Sequence, residues 1–397
     1  MSRPVPTEEA AWARPKAFAA KPDEGPYGLV DAKGNTHAFE SLDELKSYLD
    51  TGRGRLALVW HPGSKRLVAP EELSELAPSL RKRRLIFAQE DEDDFRKTLP
   101  FTGLAALFGA YVFFTKSTVY GFEGLDFLVL TVFVFLYFTA RPWWEARKGR
   151  RSAKKITRKS LAEEVPEARF ELWLDQQKTP YTIALMGLLL LVGLTQFFTP
   201  ELGINKAGFN KAGFNKEFYT HGARELMFTG AFLHGNLIHL ILNASALWYL
   251  GRRVEILAKW PQLALVFFLS ILGSGWATLE WIPKGVSVGI SGVVCGLLGF
   301  LLVFETLHRR LVPRPARRRL AAILISLVVI GILGFRFIDN AAHFGGLATG
   351  AVVAFVIFPK STSPTRPRIL WQDYLFGGAG SLLILASAVG AVVLMVS

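Results

Sequence analysis

The stretch QLALVFFLSILGSGWATLEW, residues 262–281, decides the fold of this chain. Its one charged residue, Glu280, stands next to its end, and apolar side chains run through it without alternating with polar ones. About 20 apolar residues in a helix cross the hydrocarbon core of a bilayer, and a helix bonds all of its own backbone groups there. Because a strand of a membrane barrel would alternate, the stretch predicts a membrane-spanning helix.

Runs of the same kind recur along the chain. Two of them, at about 101–121 and 124–141, each carry one charge in their interior, Lys116 and Asp126, and we expect a spanning hairpin in preference to a shallow one. Six closely spaced runs predict a core and a seventh ends the chain, at about 181–198, 237–252, 262–281, 290–306, 319–335, 340–358 and 374–396. The pattern predicts an all-α polytopic membrane protein with a six-helix core, a C-terminal seventh helix and an N-terminal transmembrane hairpin.

The distribution of charge predicts the topology. The net charge of +13 lies mostly in the links between apolar runs, where a basic excess marks the cytoplasmic side. Basic links at 252–260, 307–319 and 359–370 alternate with links that are much less basic. We expect the N-terminus in the cytoplasm, the C-terminus outside, and a bacterial inner membrane. Nucleic acid is not an expected partner, whereas anionic lipid headgroups suit the basic links.

The remaining sequence completes the domain plan. Residues 1–98 predict a small α+β cytoplasmic domain, with strands at Tyr27–Val30 and Leu56–Trp60 and a helix from Ser41. The hairpin then occupies 99–141, a basic cytoplasmic linker 142–180, the core 181–358, and a linker with the last helix 359–397. The single cysteine, Cys295, excludes a disulfide framework or a multi-cysteine metal site. We expect no metal and no cofactor.

A serine opens the fourth core helix in the sequence Gly289-Ile290-Ser291-Gly292. A serine nucleophile needs backbone that lets a substrate approach closely, and flanking glycines provide it. Free amides at a helix start also face any negative charge that develops nearby. The alternative interpretation is a small-residue packing contact, which is common between membrane helices.

A histidine lies near the start of the sixth core helix, in Ala342-His343-Phe344-Gly345-Gly346. An ionisable group inside a membrane helix is costly and is a functional candidate for that reason. Removal from water favours the neutral imidazole, which is available as a base. Gly346 and Gly350 on this helix, and Cys295 and Gly299 on the fourth, predict two small faces that pack closely enough for Ser291 and His343 to meet.

The second core helix begins with a third polar cluster, His234-Gly-Asn-Leu-Ile-His239-Leu-Ile-Leu-Asn243. His239 and Asn243 are one turn apart and share a helix face. Two donors on one face suit an oxyanion hole, although hydrogen bonds between helices are the structural alternative. All three polar clusters fall near the outer ends of their helices.

These motifs together resemble the signature of the rhomboid family: His-x4-His-x3-Asn, Gly-x-Ser-Gly and Ala-His-x-Gly-Gly, in that order, over about residues 181–358. Tyr249-Leu250-Gly251 followed by Glu255 also matches the family's ending of its second helix. The resemblance implies an intramembrane serine endopeptidase that cuts transmembrane protein substrates. It implies Ser291 as nucleophile, His343 as general base, and an oxyanion hole of His239, Asn243 and the Ser291 amide. His234, Gly289, Gly292 and Gly346 would be structural.

The chain also departs from the family pattern. Many members carry Trp-Arg about ten residues before the first histidine, where this chain has Glu225-Leu226. That difference leaves the seating of the outer loop, and with it substrate preference, open. The same loop holds a tandem repeat, 205–209 and 210–214, to which we assign no catalytic role.

Two other classes of protein compete with the protease. Non-enzymatic relatives in membrane-protein quality control typically lack the serine or the histidine, and this chain keeps both. A transporter would need carboxylates inside the membrane. Glu280 and Asp339 are instead expected at helix ends, where their charges can reach water.

Overall fold

The computed structural model describes residues 9–51, 56–116, 124–198, 211–335 and 338–396. The chain divides into two compact units. One comprises Ala11–Asp175 with Leu327–Phe337, and the other comprises mainly Gln176–Ser326 and Ile338–Ser397. Each unit is described by itself below.

A small antiparallel sheet and one helix form the beginning of the first unit. The strands are β1 (Tyr27–Asp31), β2 (Thr36–Phe39) and β3 (Leu56–Trp60), in the order β2-β1-β3, and α1 covers Leu42–Thr51. Apolar residues of the sheet and of α1 share a core that includes Leu29, Leu45 and Val59. The predicted strands and the helix after Ser41 are confirmed.

Ser41 caps α1 as its position predicts. Its Oγ accepts a hydrogen bond from the Glu44 amide at 3.2 Å. The Glu44 carboxylate accepts from the Glu40 amide at 3.1 Å, one residue earlier than in the usual reciprocal cap. Two backbone donors at the start of α1 are therefore satisfied by side chains.

The rest of the first unit is helical. Its helices are α2 (Ala77–Phe114), α3 (Gly124–Phe135), α4 (Arg141–Lys155) and α5 (Arg158–Gln176), with a π-helical turn at Leu136–Ala140. In the sequence, the basic cluster at 81–84 and the acidic cluster at 90–94 predict a linker. Both clusters are part of α2, so that prediction is wrong. A solvated charged stretch can stay helical through pairs one turn apart, such as Arg96 with Glu92 at 2.7 Å. The division at 98/99 stays a prediction, and α2 crosses it without a break.

The second unit contains the predicted helices. They are α6 (Pro180–Phe198), α9 (Leu237–Leu257), α10 (Trp260–Trp281), α11 (Ser291–Leu307), α12 (Arg314–Leu333), α13 (Asn340–Ile357) and α14 (Trp371–Val396), and only the part of α12 from Leu327 onward belongs to the first unit. Six helices of the described part of the chain are long and apolar enough to cross a membrane, or seven if a bent pair counts as one span. The fold is thus the polytopic helical fold predicted from the apolar runs.

The bent pair lies at the entrance to α9. The short helix α8 (Leu226–Thr229) and the turn that follows it meet α9 at 92°. Before them, β4 (Phe214–Asn215) leads into α7 (Lys216–Thr220) and pairs antiparallel with β5 (Val286–Ser287). The first copy of the repeat, 205–209, lies outside the described residues, whereas the second ends at Phe214, which is buried in β4.

Glycines bring α11 and α13 into backbone contact. A Cβ added to Gly346 would lie 1.9 Å from the Gly292 carbonyl oxygen, and one added to Gly350 would lie 1.8 Å from that of Gly296. Only glycine fits at such distances. The two small faces are confirmed: Gly299 lies in the contact as predicted, since a Cβ there would lie 2.1 Å from the Leu347 carbonyl oxygen, and Gly292 and Gly296 extend the same face of α11.

Candidate active site

Ser291 is the first residue of α11, and the glycine before it is under two constraints. Gly289 has φ of 105°, a region that favours glycine. A Cβ on Gly289 would also lie 2.8 Å from Cε1 of His239 and 3.3 Å from Nδ2 of Asn243. The turn that presents Ser291 therefore rests directly against the predicted oxyanion pair.

The helices of Ser291 and His343 touch at the level of these two residues. A Cβ on Gly292, the residue after Ser291, would lie 3.2 Å from the carbonyl oxygen of Ala342, the residue before His343. Both the serine and the histidine are partly exposed. In the described part of the chain no hydrogen bond joins their side chains, and such bonds are often long in the free state of an enzyme.

Asn243 carries a buried donor that has no acceptor. The residue is 6 % exposed, and its Nδ2 has no hydrogen-bond partner among the described residues. A buried donor without a partner costs free energy of about 1–3 kcal/mol. Because Nδ2 lies beside Gly289, this donor is available to an oxygen atom that arrives next to the Ser291 turn.

His239 lies one helical turn before Asn243, and its backbone amide is bound by the N-cap residue of α9. The backbone amide of His239 donates to Oδ1 of Asn236 at 2.8 Å, so Asn236 caps α9. The imidazole faces Gly289. The structure thus brings His239, Asn243 and the Ser291 turn together, as the spacing of the motifs predicts.

His234 has a different environment from the other site residues. It is fully buried, and its backbone is clamped by Gln196, which donates to the His234 carbonyl at 2.7 Å and accepts from its amide at 2.9 Å. The His234 ring meets the edge of His239 with centroids 5.1 Å apart. These contacts suit the bracing part predicted for His234. Gln196 itself was not predicted, since a single glutamine in an apolar run carries no distinctive spacing.

Asp339 stands at the end of its helix and is partly exposed, as predicted, and it also holds a hydrogen-bond network. Its Oδ2 accepts from Thr278 and Ser287, each at 2.5 Å, and its Oδ1 accepts from the Ala342 amide at 2.9 Å. Asp339 is therefore the cap of α13, four residues before His343. An Asp three residues before a helical amide is a recognisable capping signal, and it was available in the sequence.

A lysine extends this network to the loop between α6 and α9. Nζ of Lys216, in α7, donates to Oγ of Ser287 at 2.8 Å, and Ser287 in turn donates to Asp339. Lys216 is 2 % exposed. Burial lowers the pKa of Lys216, and the nearby Asp339 charge opposes that shift. The paired strands β4 and β5, which belong to two different loops, are thus tied to the helix that carries His343.

Glu225 and Leu226, at the position of the missing Trp-Arg pair, begin the short helix α8. Leu226 is buried, and the next residue, Met227, fills the space beside Gly275 of α10. Oγ1 of Thr229 donates to the Ala212 carbonyl at 2.7 Å. Apolar packing and the hydrogen bond of one buried hydroxyl group therefore hold the loop between α6 and α9 in place.

A small cavity opens beside Ser291. It has space for about 40 Å³ of water, which is enough for roughly one or a few molecules. Its lining includes Ser291, Gly292, Ser274, Met227 and Asp339. The described residues contain no cluster of three His, Cys, Asp or Glu side chains that could hold a metal ion.

Glu255 explains the motif at the end of the second core helix, Tyr249-Leu250-Gly251 followed by Glu255. Its carboxylate accepts from the amides of Tyr181 and Thr182 at 3.0 and 2.7 Å, and from the Thr182 hydroxyl at 2.6 Å. Gly251 gives α6 room to approach, because a Cβ there would lie 3.2 Å from Thr182. The end of α9 thus caps the start of α6 and fixes the helix that carries His239 and Asn243.

Fold and site together define a polytopic helical membrane protein in which a serine and a histidine lie on touching helices. Residues 219–360 match a family model described as Rhomboid domain. Residues 219–360 of the chain therefore match the rhomboid family, as the motifs predict.

Curated relatives carry the same family name. RHOMBOID-like protein 4 of Arabidopsis thaliana is 31 % identical over 139 residues, which are 35 % of this chain and 34 % of that protein. Rhomboid protease GlpG of Pectobacterium atrosepticum is 36 % identical over 141 residues, 34 % of this chain and 50 % of that protein. Inactive rhomboid protein 2 of Homo sapiens is 32 % identical over 162 residues, which are 39 % of this chain and 19 % of that protein. This chain therefore spans half or less of the length of these relatives.

Proposed function

We propose that this protein is an intramembrane serine endopeptidase that cuts transmembrane proteins in or near their membrane-spanning segments. One observation carries the proposal. The Ser291 turn packs against His239 and Asn243 on one side, and its helix touches the helix of His343 on the other. A nucleophile, a base and oxyanion donors are the groups that peptide hydrolysis by a serine requires.

The chemistry follows from these groups. His343 takes the proton of the Ser291 hydroxyl while the Ser291 oxygen attacks the carbonyl carbon of the peptide. A tetrahedral intermediate with an oxyanion forms. When that intermediate collapses, His343 returns the proton to the leaving amine and the acyl group stays on Ser291. Water then attacks the ester with His343 again as base, which releases the new carboxyl end and restores the hydroxyl.

The oxyanion has three candidate donors. Nδ2 of Asn243 is buried and lacks an acceptor, the ring of His239 faces Gly289, and the amide of Ser291 is the first of α11. The first four amides of a helix have no partner within the helix. Donors held in place before the reaction stabilise charge without reorganising, which makes them effective.

The proposal includes a location. The positive-inside pattern supports a cytoplasmic N-terminus and a site that opens to the outer side of a bacterial inner membrane. Water for the second step would then come from the outer phase, through the cavity beside Ser291.

The relatives also support a second candidate function. They include proteins named inactive alongside one named a protease. A non-enzymatic rhomboid that acts in membrane-protein quality control is thus the alternative. The presence of both Ser291 and His343 favours the protease.

Cleavage of a single-span reporter in proteoliposomes tests the proposal. We expect cleavage by the wild type and a loss of at least about 1,000-fold in Ser291→Ala and His343→Ala, as for other members of a catalytic unit. Ser245→Ala is the matched control, because that exposed hydroxyl bonds only within its own helix. If both site variants cut as well as the wild type, the proposal fails. If folded wild type takes no fluorophosphonate label at Ser291, the non-enzymatic function is favoured.

A further inference from the structure

A cavity lined by arginines lies at the end of α11 opposite to Ser291. It has a volume of about 490 Å³, and its lining residues are Arg309, Arg314, Arg317, Arg318 and Ala321. The 17 residues of α11 span about 25 Å at 1.5 Å per residue. The cavity is therefore most of a membrane thickness away from the candidate active site and is separate from it.

Two chain segments build this cavity. Arg314, Arg317, Arg318 and Ala321 follow the spacing that places residues on one face of a helix, here the first two turns of α12. Arg309 comes from the link after α11, where its Nε donates to the Thr306 carbonyl at 3.1 Å. Guanidinium groups from both segments thus meet around one space.

The positive charge of the cavity is not neutralised by the protein. None of its four arginines forms an ion pair with a carboxylate in the part of the chain that the structure describes. The nearest candidate acid, Glu305, is 1 % exposed and is paired with Arg253 at 2.6 Å. Four like charges around one space repel each other unless a counter-charge is present.

Arg317 adds an observation that points to a ligand. Its Nε is buried without a hydrogen-bond acceptor among the described residues. Burial lowers the pKa of Arg317, the neighbouring charges of Arg309 and Arg314 lower it further, and Glu305 opposes the shift only in part. A buried guanidinium donor that faces like charges is stabilised by an anionic acceptor.

We propose that this cavity binds the phosphate group of an anionic phospholipid. Phosphate offers several oxygen acceptors, which planar guanidinium groups bind in pairs, and the start of α12 adds the positive end of a helix dipole. The lining of the cavity includes the apolar residue Ala321, and Ile325, one turn further along α12, is 65 % exposed. An acyl chain can therefore continue along α12 from a phosphate held by the arginines, an arrangement that free phosphate cannot use.

Lipid retention by the full-length protein tests this site. The protein is reconstituted in nanodiscs of phosphatidylcholine with a minor fraction of phosphatidylglycerol. The protein is then released from the nanodisc, and native mass spectrometry counts the lipid molecules of each kind that remain bound to it. The variant is Arg314→Gln/Arg318→Gln, because both side chains are exposed and their change does not disturb folding. We expect about a tenfold or greater loss of retained phosphatidylglycerol, since charge-assisted hydrogen bonds are the strong ones.

A matched control removes charge elsewhere. Lys33→Gln/Lys65→Gln changes two exposed basic residues of the small α+β domain by the same amount and should leave the retained phosphatidylglycerol unchanged. Equal loss in both variants, or equal retention of phosphatidylcholine and phosphatidylglycerol, would overturn the proposal, because either result shows attraction by net charge only.

Two further measurements identify the source of the phosphate group. Inorganic phosphate at physiological concentration should not displace the lipid, and Ile325→Ser should weaken lipid retention without changing phosphate binding measured by calorimetry. If inorganic phosphate binds the wild type as tightly as the lipid and Ile325→Ser has no effect, the lipid assignment is wrong and the site takes a free phosphate.

Discussion

A Cβ on Gly346 would lie 1.9 Å from the carbonyl oxygen of Gly292. This approach sets how α11 and α13 fit together, because no side chain can separate the two backbones there. Ser291 directly precedes Gly292, and His343 stands three residues before Gly346, so the same contact sets the distance between nucleophile and base. Small residues let membrane helices approach in this way.

Gly346→Ala should therefore damage both stability and activity. The added methyl group must push α13 away from α11, and overpacking of this kind typically costs about 1–3 kcal/mol. A shift of about 1 Å at a catalytic pair can cost about 100-fold in rate. Thermal unfolding in detergent and reporter cleavage in proteoliposomes measure the two effects.

The control for this change is Gly187→Ala in α6, where a Cβ would meet nothing within 4 Å. Alanine favours helix over glycine, so this variant should match or exceed wild-type stability with unchanged cleavage. Wild-type cleavage by Gly346→Ala would show that the contact does not set the geometry of the pair.

Gly289→Ala should separate backbone strain from the loss of the site. Gly289 and Gly285 both have positive φ, 105° and 83°, so alanine at either position strains the backbone by about 1–2 kcal/mol. Only the methyl group at 289 would strike His239, since a Cβ at 285 meets nothing within 4 Å. We expect a loss of unfolding free energy in both variants, larger in Gly289→Ala because of this clash, and a fall in kcat only in Gly289→Ala. Equal values of kcat would mean that His239 is not close to the reacting atoms.

Asn243→Ala should lower the rate with little effect on stability. Loss of an oxyanion donor costs about 100–1,000-fold in kcat, whereas a donor that lacks a partner in the free protein contributes little to folding. Gln196→Ala is the contrasting variant, because Gln196 makes two hydrogen bonds with the His234 backbone. Its loss should reduce stability. If Asn243→Ala loses stability as Gln196→Ala does and keeps its kcat, Asn243 is a structural residue only.

The apolar runs predicted the helices of the core closely. The run at 262–281 became α10 at Trp260–Trp281, because a bilayer allows a continuous apolar segment few structures other than helix. The charged residues at 81–94 misled the prediction, since charge alone does not distinguish a solvated helix from a linker. Gly299 was predicted in the contact with α13 and lies there, whereas Gly292 and Gly296, which share its face of α11, were not included in the predicted small face.

The network around Asp339 could not be predicted as a whole. Its members Lys216, Ser287 and Asp339 are far apart in the chain and meet because two-residue strands pair at Phe214–Asn215 and Val286–Ser287. Strands this short have no hydrophobic period to recognise. The cap of α13 was the one part of the network with a local signal.

Asp339→Ala should destabilise the protein and slow catalysis, whereas Asp339→Asn should keep most of both. Asparagine caps helices about as well as aspartate, so α13 retains its first turn and the position of His343. Alanine removes the cap and the acceptor for Thr278 and Ser287, a combined loss of at least about 2 kcal/mol. Asn215→Ala, which removes the cap of the short α7, is the control. If Asp339→Ala lowers stability but leaves kcat unchanged at a permissive temperature, Asp339 has a structural role only.

The pH dependence of stability should report the same network through Lys216. Burial lowers the pKa of this ammonium group in the folded protein, so the unfolded chain binds more protons between the folded pKa and the ordinary value. Stability should therefore rise with pH across that window, because ∂ΔG/∂pH is positive wherever the unfolded state holds more protons. Asp339 opposes the shift, and Asp339→Asn should extend the rise to lower pH. Chemical denaturation across the alkaline range measures the slope, and Lys216→Met should abolish this contribution. An unchanged slope in Lys216→Met would mean that another group titrates there and that Asp339 does not act on Lys216.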